Sequence, residues 1–376
     1  MNQAALSKTV LITGGAGFIG SHLADELLNH GYRVRALDNL SSQVHGIEGR
    51  PAYLNSEVEL ITGDVRDPES VRKAVGGVDA VFHFAAAVGV GQSMYEISRY
   101  TDINNMGTAV LLEALIQQPV SRLIVASSMS LYGEGLYVGP DGADWTNVER
   151  THEQLAARDW EPHTPAGEPL IPVATPEWKP PSVASIYALD KYDQERMCLL
   201  VGRAYEIPTV ALRFFNVYGP RQALSNPYTG ALAIFASRIL NGKPPMIFED
   251  GRQQRDFVHV SDAARAARLA LEVNEAAAHV FNVGSGEHRA IGDIAAMMSE
   301  LLGKTNLGPQ ISGKYRVGDV RHCFADVNLA QSILGFRATI GLDVGLTKLT
   351  EWLEGQVAID RVDRARQELE SRGLAL

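Results

Sequence analysis

The chain has 376 residues, a formal net charge of −10, 45% hydrophobic and 21% charged residues, the balance of an ordinary globular protein. That length exceeds what one hydrophobic core usually supports, so one large and one smaller domain are expected. The acidic charge argues against nucleic acid and membrane surfaces as partners, and two distant cysteines, Cys198 and Cys323, exclude a disulfide framework or a four-cysteine zinc site.

In chain order, Met1 to Lys8 is polar and lacks a signal-like apolar core, and no stretch has the apolar length to span a bilayer; a cytoplasmic location is the expectation. Val10 to Ile12 is a short apolar run ending in Thr13-Gly14-Gly15, as buried parallel strands read. Ile19, Leu23 and Leu27 recur at helical spacing until Gly31. Further strands are expected at Arg33–Leu37, Val58–Ile61, Ala80–Phe84, Leu123–Ala126 and Thr209–Phe214, with helices over roughly Ser93–Gln117 and Ser185–Tyr205. Strands alternating with helices specify an α/β fold, a doubly wound parallel Rossmann sheet with a smaller C-terminal α/β substrate domain. Residues 1–219 form the expected Rossmann domain, with an insertion at 139–182 and a return segment at 256–284 that restores Val280–Val283 to the sheet. Residues 220–255 and 285–376 form the expected substrate domain. The insertion is dense in proline and holds Trp145, Trp160 and Trp178. It reads either as an ordered or conditionally ordered element beside the site or as a surface excursion without a catalytic part.

Gly14-Gly15-Ala16-Gly17-Phe18-Ile19-Gly20 joins the first strand to its helix. Gly14 permits the tight turn, Gly17 clears space for a pyrophosphate, and Gly20 lets helix and strand pack closely, so the helix N-terminus can face phosphates. Asp38 lies 18 residues beyond Gly20 at the end of the second strand, where a carboxylate accepts from ribose hydroxyls and repels a 2′-phosphate. NAD is the expected cofactor. Asp64 is placed either to reach the adenine amine or to cap the helix before Pro68. Phe18, Ile19, Asn39 and Val65 complete the expected cofactor set around these residues.

Tyr187 and Lys191 stand four apart on one helical face, where an ammonium favours the phenolate, and Ser128 ends the fifth expected strand. Thr13 to Gly20, Gly63-Asp64, His83 to Ala86, Ser127 to Gly133, Tyr187 to Lys191, Arg213 to Pro220 and Arg255 to Val260 follow one another over nearly the whole chain. In these motifs the sequence resembles the extended branch of the short-chain dehydrogenase/reductase superfamily, and within it the nucleotide-sugar epimerases and dehydratases. The resemblance implies Tyr187 as acid/base on a sugar hydroxyl and Lys191 as a ligand of the nicotinamide ribose that lowers the tyrosine pKa. It implies that Ser128 bonds the reacting oxygen and that Phe84, Ala85 and Ala86 border the cofactor. Asn104 would support the active-site helix or cap a turn. Asn216 would bind the substrate diphosphate, and Arg255 and Arg316 would grip its phosphates or stand in surface ion pairs. No metal is expected.

In such enzymes Tyr187 would take the proton of the C4 hydroxyl while hydride passes to NAD, giving a 4-keto sugar. Similar dehydratases carry an Asp-Glu pair after position 128, and decarboxylases a glutamate at 130; here Met129 and Ser130 stand there. No cysteine lies where a 3,5-epimerase would need one. Return of hydride to the opposite face, 4-epimerisation, is therefore the expected outcome, with a 4-reductase or 4-dehydrogenase, or a non-catalytic NAD-binding sensor, as alternatives. Tyr132 to Tyr137, Arg158 to Pro162, Ser185 to Glu195 and Phe214 to Gly230 resemble a subgroup of dTDP-L-rhamnose 4-epimerases, many of which carry Cys-Pro-x-Cys knuckles that this insertion lacks. UDP-glucose/UDP-galactose 4-epimerase is the second substrate reading, although that enzyme usually has lysine where Val88 stands. A nucleotide-diphosphate sugar substrate and a homodimer are the expected partners.

Overall fold

The computed structural model describes residues 8–46, 49–228, 230–316, 318–356 and 358–376. Residues 1–7 of the polar start, Thr229 within the Phe214–Gly230 motif, and Val317 beside Arg316 lie outside the described residues.

Seven parallel strands form the central sheet: β1 (Thr9–Thr13), β2 (Arg33–Asp38), β3 (Glu59–Thr62), β4 (Ala80–His83), β5 (Arg122–Ser128), β6 (Thr209–Phe214) and β7 (Val280–Val283). They lie in the order β7-β6-β5-β4-β1-β2-β3. Chain direction across the sheet reverses between β1 and β4, the crevice where such sheets bind ligands. Successive residues of β1 serve opposite faces. Val10 and Ile12 pack into one core with Leu23, Leu27 and Phe281, whereas Leu11 packs into the other with Val71, Leu111 and Leu123. Burial on both faces is why these strands read as continuous apolar runs rather than alternating ones. β7 pairs with β6, so the expected return of Val280–Val283 to the sheet is what the fold contains.

The helices that matter for the site are α1 (Phe18–Asn29), α2 (Pro68–Val75), α3 (Gly107–Gln117) and α4 (Ile186–Ala204). Ser185 caps α4 through its hydroxyl, which accepts from Ala188 N at 3.1 Å. The helix expected over Ser93–Gln117 is broken: Val90–Ser93 and Ile97–Thr101 are separate helical turns, and Asp102–Met106 is a wider π-type turn that leads into α3. Asn104 lies in that turn, and its side chain bonds both backbone groups of Ala87, at 2.8 and 3.2 Å. A long-range contact of this kind accounts for a local widening that no periodicity announces.

A third core gathers Tyr218, Leu232, Phe235, Ile294, Met298, Leu346 and Leu349 from the C-terminal part of the chain. The insertion is ordered. Leu136–Val138 is the middle strand of a three-stranded antiparallel sheet with Asp144–Trp145 and Ile171–Val173. Trp160 packs on Leu155 and Tyr315, while Trp178 is exposed. Arg321, fully buried, joins Glu161 of the insertion to Glu249 and Asp250, and Arg150 joins Glu134 to Glu249. Buried ion pairs and tryptophan packing thus fasten the insertion to the C-terminal part. Among the described residues no helix is long and apolar enough to cross a membrane.

Candidate active site

One cavity opens at the carboxyl ends of β1, β2, β4, β5 and β6. Gly14, Gly17, Phe18, Ile19, Gly20, Asp38, Asn39, Asp64, Val65, Phe84, Ala85, Ala86, Ser128, Tyr187, Lys191 and Asn216 all line it. The turn entering α1 has the form its glycines suggest. Gly14 sits at φ +70°, and a Cβ on Gly20 would lie 2.3 Å from Gly14 O and 2.8 Å from Gly15 Cα. A Cβ on Gly17 would meet only Gly14 O, at 3.2 Å, and would otherwise project into open space. The α1 N-terminus has no side-chain cap, so its free N–H groups remain available to a phosphate. Asp38 closes the other side; its two oxygens accept from Ala16 N at 3.0 Å and Leu40 N at 2.9 Å, with His45 Nε2 3.4 Å away. The residues present therefore fit a dinucleotide: a bare glycine cradle, unfilled helix donors and a carboxylate at the ribose position.

Of its two expected parts, Asp64 does not take that of the helix cap; it lines the cavity. Arg66 grips its carboxylate from Nε and Nη2, at 2.9 and 2.8 Å, and Asn39 donates at 3.1 Å. These bonds hold the Asp64 carboxyl well below the usual carboxylate range. The helix cap before Pro68 is Asp67, which accepts from Glu69 N and Ser70 N.

At the inner end, Tyr187 and Ser128 line the cavity together; burial raises the phenol's pKa and the nearby Ser128 hydroxyl pulls against that rise. Ser128 Oγ in turn accepts from Ser130 Oγ at 2.9 Å and Ser130 N at 3.2 Å. Lys191 was expected to lower the tyrosine pKa, but its ammonium turns inward and donates to Gln194 Oε1 at 2.8 Å. Burial pulls the Lys191 pKa down to about 8. In the protein alone burial thus raises the tyrosine, and the opposing pull comes from the Ser128 hydroxyl. Asn104 links the loop after β4 to α4, with Nδ2 3.4 Å from Asp190 Oδ2, and so supports the active-site helix.

Asn216 Oδ1 is buried without a hydrogen-bond partner. An orphaned acceptor on the cavity wall calls for a donor such as a sugar hydroxyl, and turning the amide over would offer its N–H groups to a phosphate. Arg255 and Arg316 do not line the cavity. The Arg255 guanidinium donates to the carbonyls of Gln254, Val320 and Arg321; Arg316 pairs with Asp319 and lies over Phe248. Arg316 thus takes the ion-pair alternative with Asp319, while Arg255 is held by backbone carbonyls alone, and neither stands on the cavity wall where a phosphate grip was expected. Sequence reasoning missed Gln43, Arg99 and Asn226, which also line the cavity. Arg99 donates to Gln43 Oε1 at 2.8 Å, a contact between two short helical turns far apart in sequence that carries no local signal.

A cavity with this turn, this acid and a Ser-Tyr-Lys end belongs to the dinucleotide-dependent redox enzymes of the Rossmann type. The profile of the NAD dependent epimerase/dehydratase family matches residues 10–158 and 163–284. The chain belongs to this family and is an NAD-dependent enzyme. It is 33% identical over 350 residues to a dTDP-L-rhamnose 4-epimerase of Burkholderia thailandensis, covering 92% of this chain and 95% of that protein. The solved UDP-glucose 4-epimerase of Thermotoga maritima with UDP-glucose superposes with a TM-score of 0.73 at 31% identity, covering 92% and 98% of the two chains. MoeE5 in complex with UDP-glucuronic acid and NAD superposes with a TM-score of 0.73 at 33% identity, covering 92% and 99%.

Proposed function

We propose that this enzyme is a nucleotide-sugar 4-epimerase acting on dTDP-L-rhamnose to give dTDP-6-deoxy-L-talose. The observation that carries the reaction type is the distribution of carboxylates on the cavity wall. Among the lining residues the only ones are Asp38 and Asp64, both at the β2–β3 end. Beside Tyr187 stand Ser128 and Lys191, and Ser130 offers only a hydroxyl turned to Ser128. No carboxylate there can take a second proton, as dehydration would require.

Bound NAD supplies the acceptor and later donor of the C4 hydride. Tyr187 takes the proton of the C4 hydroxyl and returns it to the 4-keto oxygen. Ser128 holds that oxygen and the phenol in one hydrogen-bonded line. Lys191 offsets the negative charge that develops on Tyr187 and bonds the nicotinamide ribose. Asn216 orients the substrate. The division of labour follows the proposed domains, with residues 1–219 (return segment 256–284) holding NAD and residues 220–255 and 285–376 holding the sugar nucleotide.

The dTDP-L-rhamnose reading is supported by the Burkholderia relative and its coverage of nearly the whole chain. A UDP-glucose substrate is the second reading, favoured by the similar likeness to the Thermotoga enzyme. We also propose a homodimer, because Ile97, Met106, Leu189 and Leu200 are exposed apolar residues of the adjoining 97–106 segment and α4. The test is incubation of purified protein with dTDP-L-rhamnose, UDP-glucose and UDP-galactose, with products identified by NMR. Conversion of dTDP-L-rhamnose without net NAD reduction is expected. Conversion of the UDP-sugars alone would overturn the substrate, and accumulation of NADH would overturn the epimerase.

A further inference from the structure

We propose that Gln194 is the positioning residue of Lys191, a neutral acceptor that aims the ammonium without forming an ion pair with it. The inference rests on the reading in which Lys191 acts beside Tyr187.

Lys191 and Gln194 are both buried, and Nζ donates to Oε1 at 2.8 Å. The orientation of the Gln194 amide follows from the groups behind it. Thr13 Oγ1 accepts from Phe84 N and Ala85 N, both at 3.2 Å, so its proton goes to His83 Nδ1 at 2.8 Å. His83 therefore carries its proton on Nε2 and donates to Thr108 Oγ1 at 2.8 Å. Thr108 gives its own proton to Asn104 O at 2.5 Å, which leaves its oxygen to accept from Gln194 Nε2 at 2.9 Å. With its NH₂ committed to Thr108, Gln194 has only its carbonyl to offer Lys191. A continuous hydrogen-bonded chain thus runs from the strand that opens the glycine turn to the lysine.

Every member of that chain is uncharged. Burial pushes His83 down to about 3, so it is neutral. Asp190 and Glu195 act on Lys191 through space, but neither pairs with it. Glu195 is held by Arg213 and Ser127, and Asp190 by Asn104 and Thr101. Burial pushes the Cys198 thiol up to about 12, so it too is neutral, and Tyr187 is raised. A carboxylate at position 194 would neutralise the ammonium and remove its pull on Tyr187; an amide fixes its place without doing so.

The test compares Gln194→Glu and the isosteric, apolar Gln194→Met with the parent protein in the NAD-loaded state. The Lys191 ammonium is followed by ¹⁵Nζ NMR across pH, its signal identified by its loss in Lys191→Arg, and turnover of dTDP-L-rhamnose is followed across the same range. Gln194→Glu should raise the Lys191 titration by about one pH unit or more and move the acid limb of the kcat profile upward. Gln194→Met should lower the titration and reduce kcat by about tenfold, with KM little changed. If Gln194→Glu does not fold, Gln194→Met alone decides. A Lys191 titration unmoved by these variants would overturn the proposal. Turnover unchanged in Tyr187→Phe would instead overturn the catalytic reading, while the lysine titration would still decide the role of Gln194.

Discussion

Arg213 of β6 holds Glu195 of α4 in a two-pronged buried pair, Nε to Oε2 at 3.0 Å and Nη2 to Oε1 at 2.7 Å. Glu195 also accepts from Ser127 of β5 at 2.6 Å, so the pair pins the helix that carries Tyr187 and Lys191 to two strands of the sheet. Removing one partner leaves the other charge buried and alone. Glu195→Gln should therefore cost about 3–5 kcal/mol in denaturant unfolding. The Glu195→Met/Arg213→Met double variant should cost less than the sum of its single variants. Strict additivity would mean that the two side chains are not coupled.

Gly17 and Gly20 should fail differently. Alanine at 20 would put its Cβ 2.3 Å from Gly14 O, so both the loop and NAD affinity should suffer, with about 1–3 kcal/mol lost in unfolding. Alanine at 17 meets little protein, so thermal stability should stay near that of the parent while NAD binding, measured calorimetrically, weakens. Equal loss of stability in the two variants would contradict this division.

Acid should destabilise the protein through His83. The unfolded imidazole takes a proton below about 6.5, whereas the folded one, pushed to about 3 by burial, does not. Between those values the unfolded state binds more protons, so stability is present above pH 6.5 and is lost as pH falls. The loss attributable to this residue is about 2 kcal/mol between pH 6.5 and 5. In His83→Gln, the drop in unfolding free energy from pH 6.5 to 5 should shrink by that amount. An identical slope would show that His83 does not control it.

The strands of the central sheet were legible because burial on both faces leaves apolar runs, as in Val10 to Ile12 and Thr209 to Phe214. The glycine turn, Asp38, Tyr187 and Lys191 were legible because their chemistry demands fixed spacing along one strand–turn–helix or one helical face. What escaped depends on contacts between distant segments. The π-type turn at Asn104 exists where its side chain reaches Ala87. Arg321 looks like any surface arginine until Glu161, Glu249 and Asp250 arrive from two other segments to bury it. Arg255 and Arg316 carried a family expectation about phosphate, yet their own carbonyl and carboxylate partners decide where they point. The direction of the Lys191 ammonium was hidden for the same reason, since Gln194 takes its orientation from Thr108 and His83.

The central claim is that Tyr187 drives transient oxidation at C4 and that the same hydrogen returns to the same carbon. The direct measurement is turnover of dTDP-L-rhamnose carrying deuterium at C4, in ordinary water, with the product read by NMR and mass spectrometry. The account predicts that the 4-epimer keeps its deuterium at C4 with no net NADH. Tyr187→Phe should turn over about 10²–10⁴-fold more slowly while still binding NAD. Loss of the label to solvent, or full turnover in Tyr187→Phe, would contradict it.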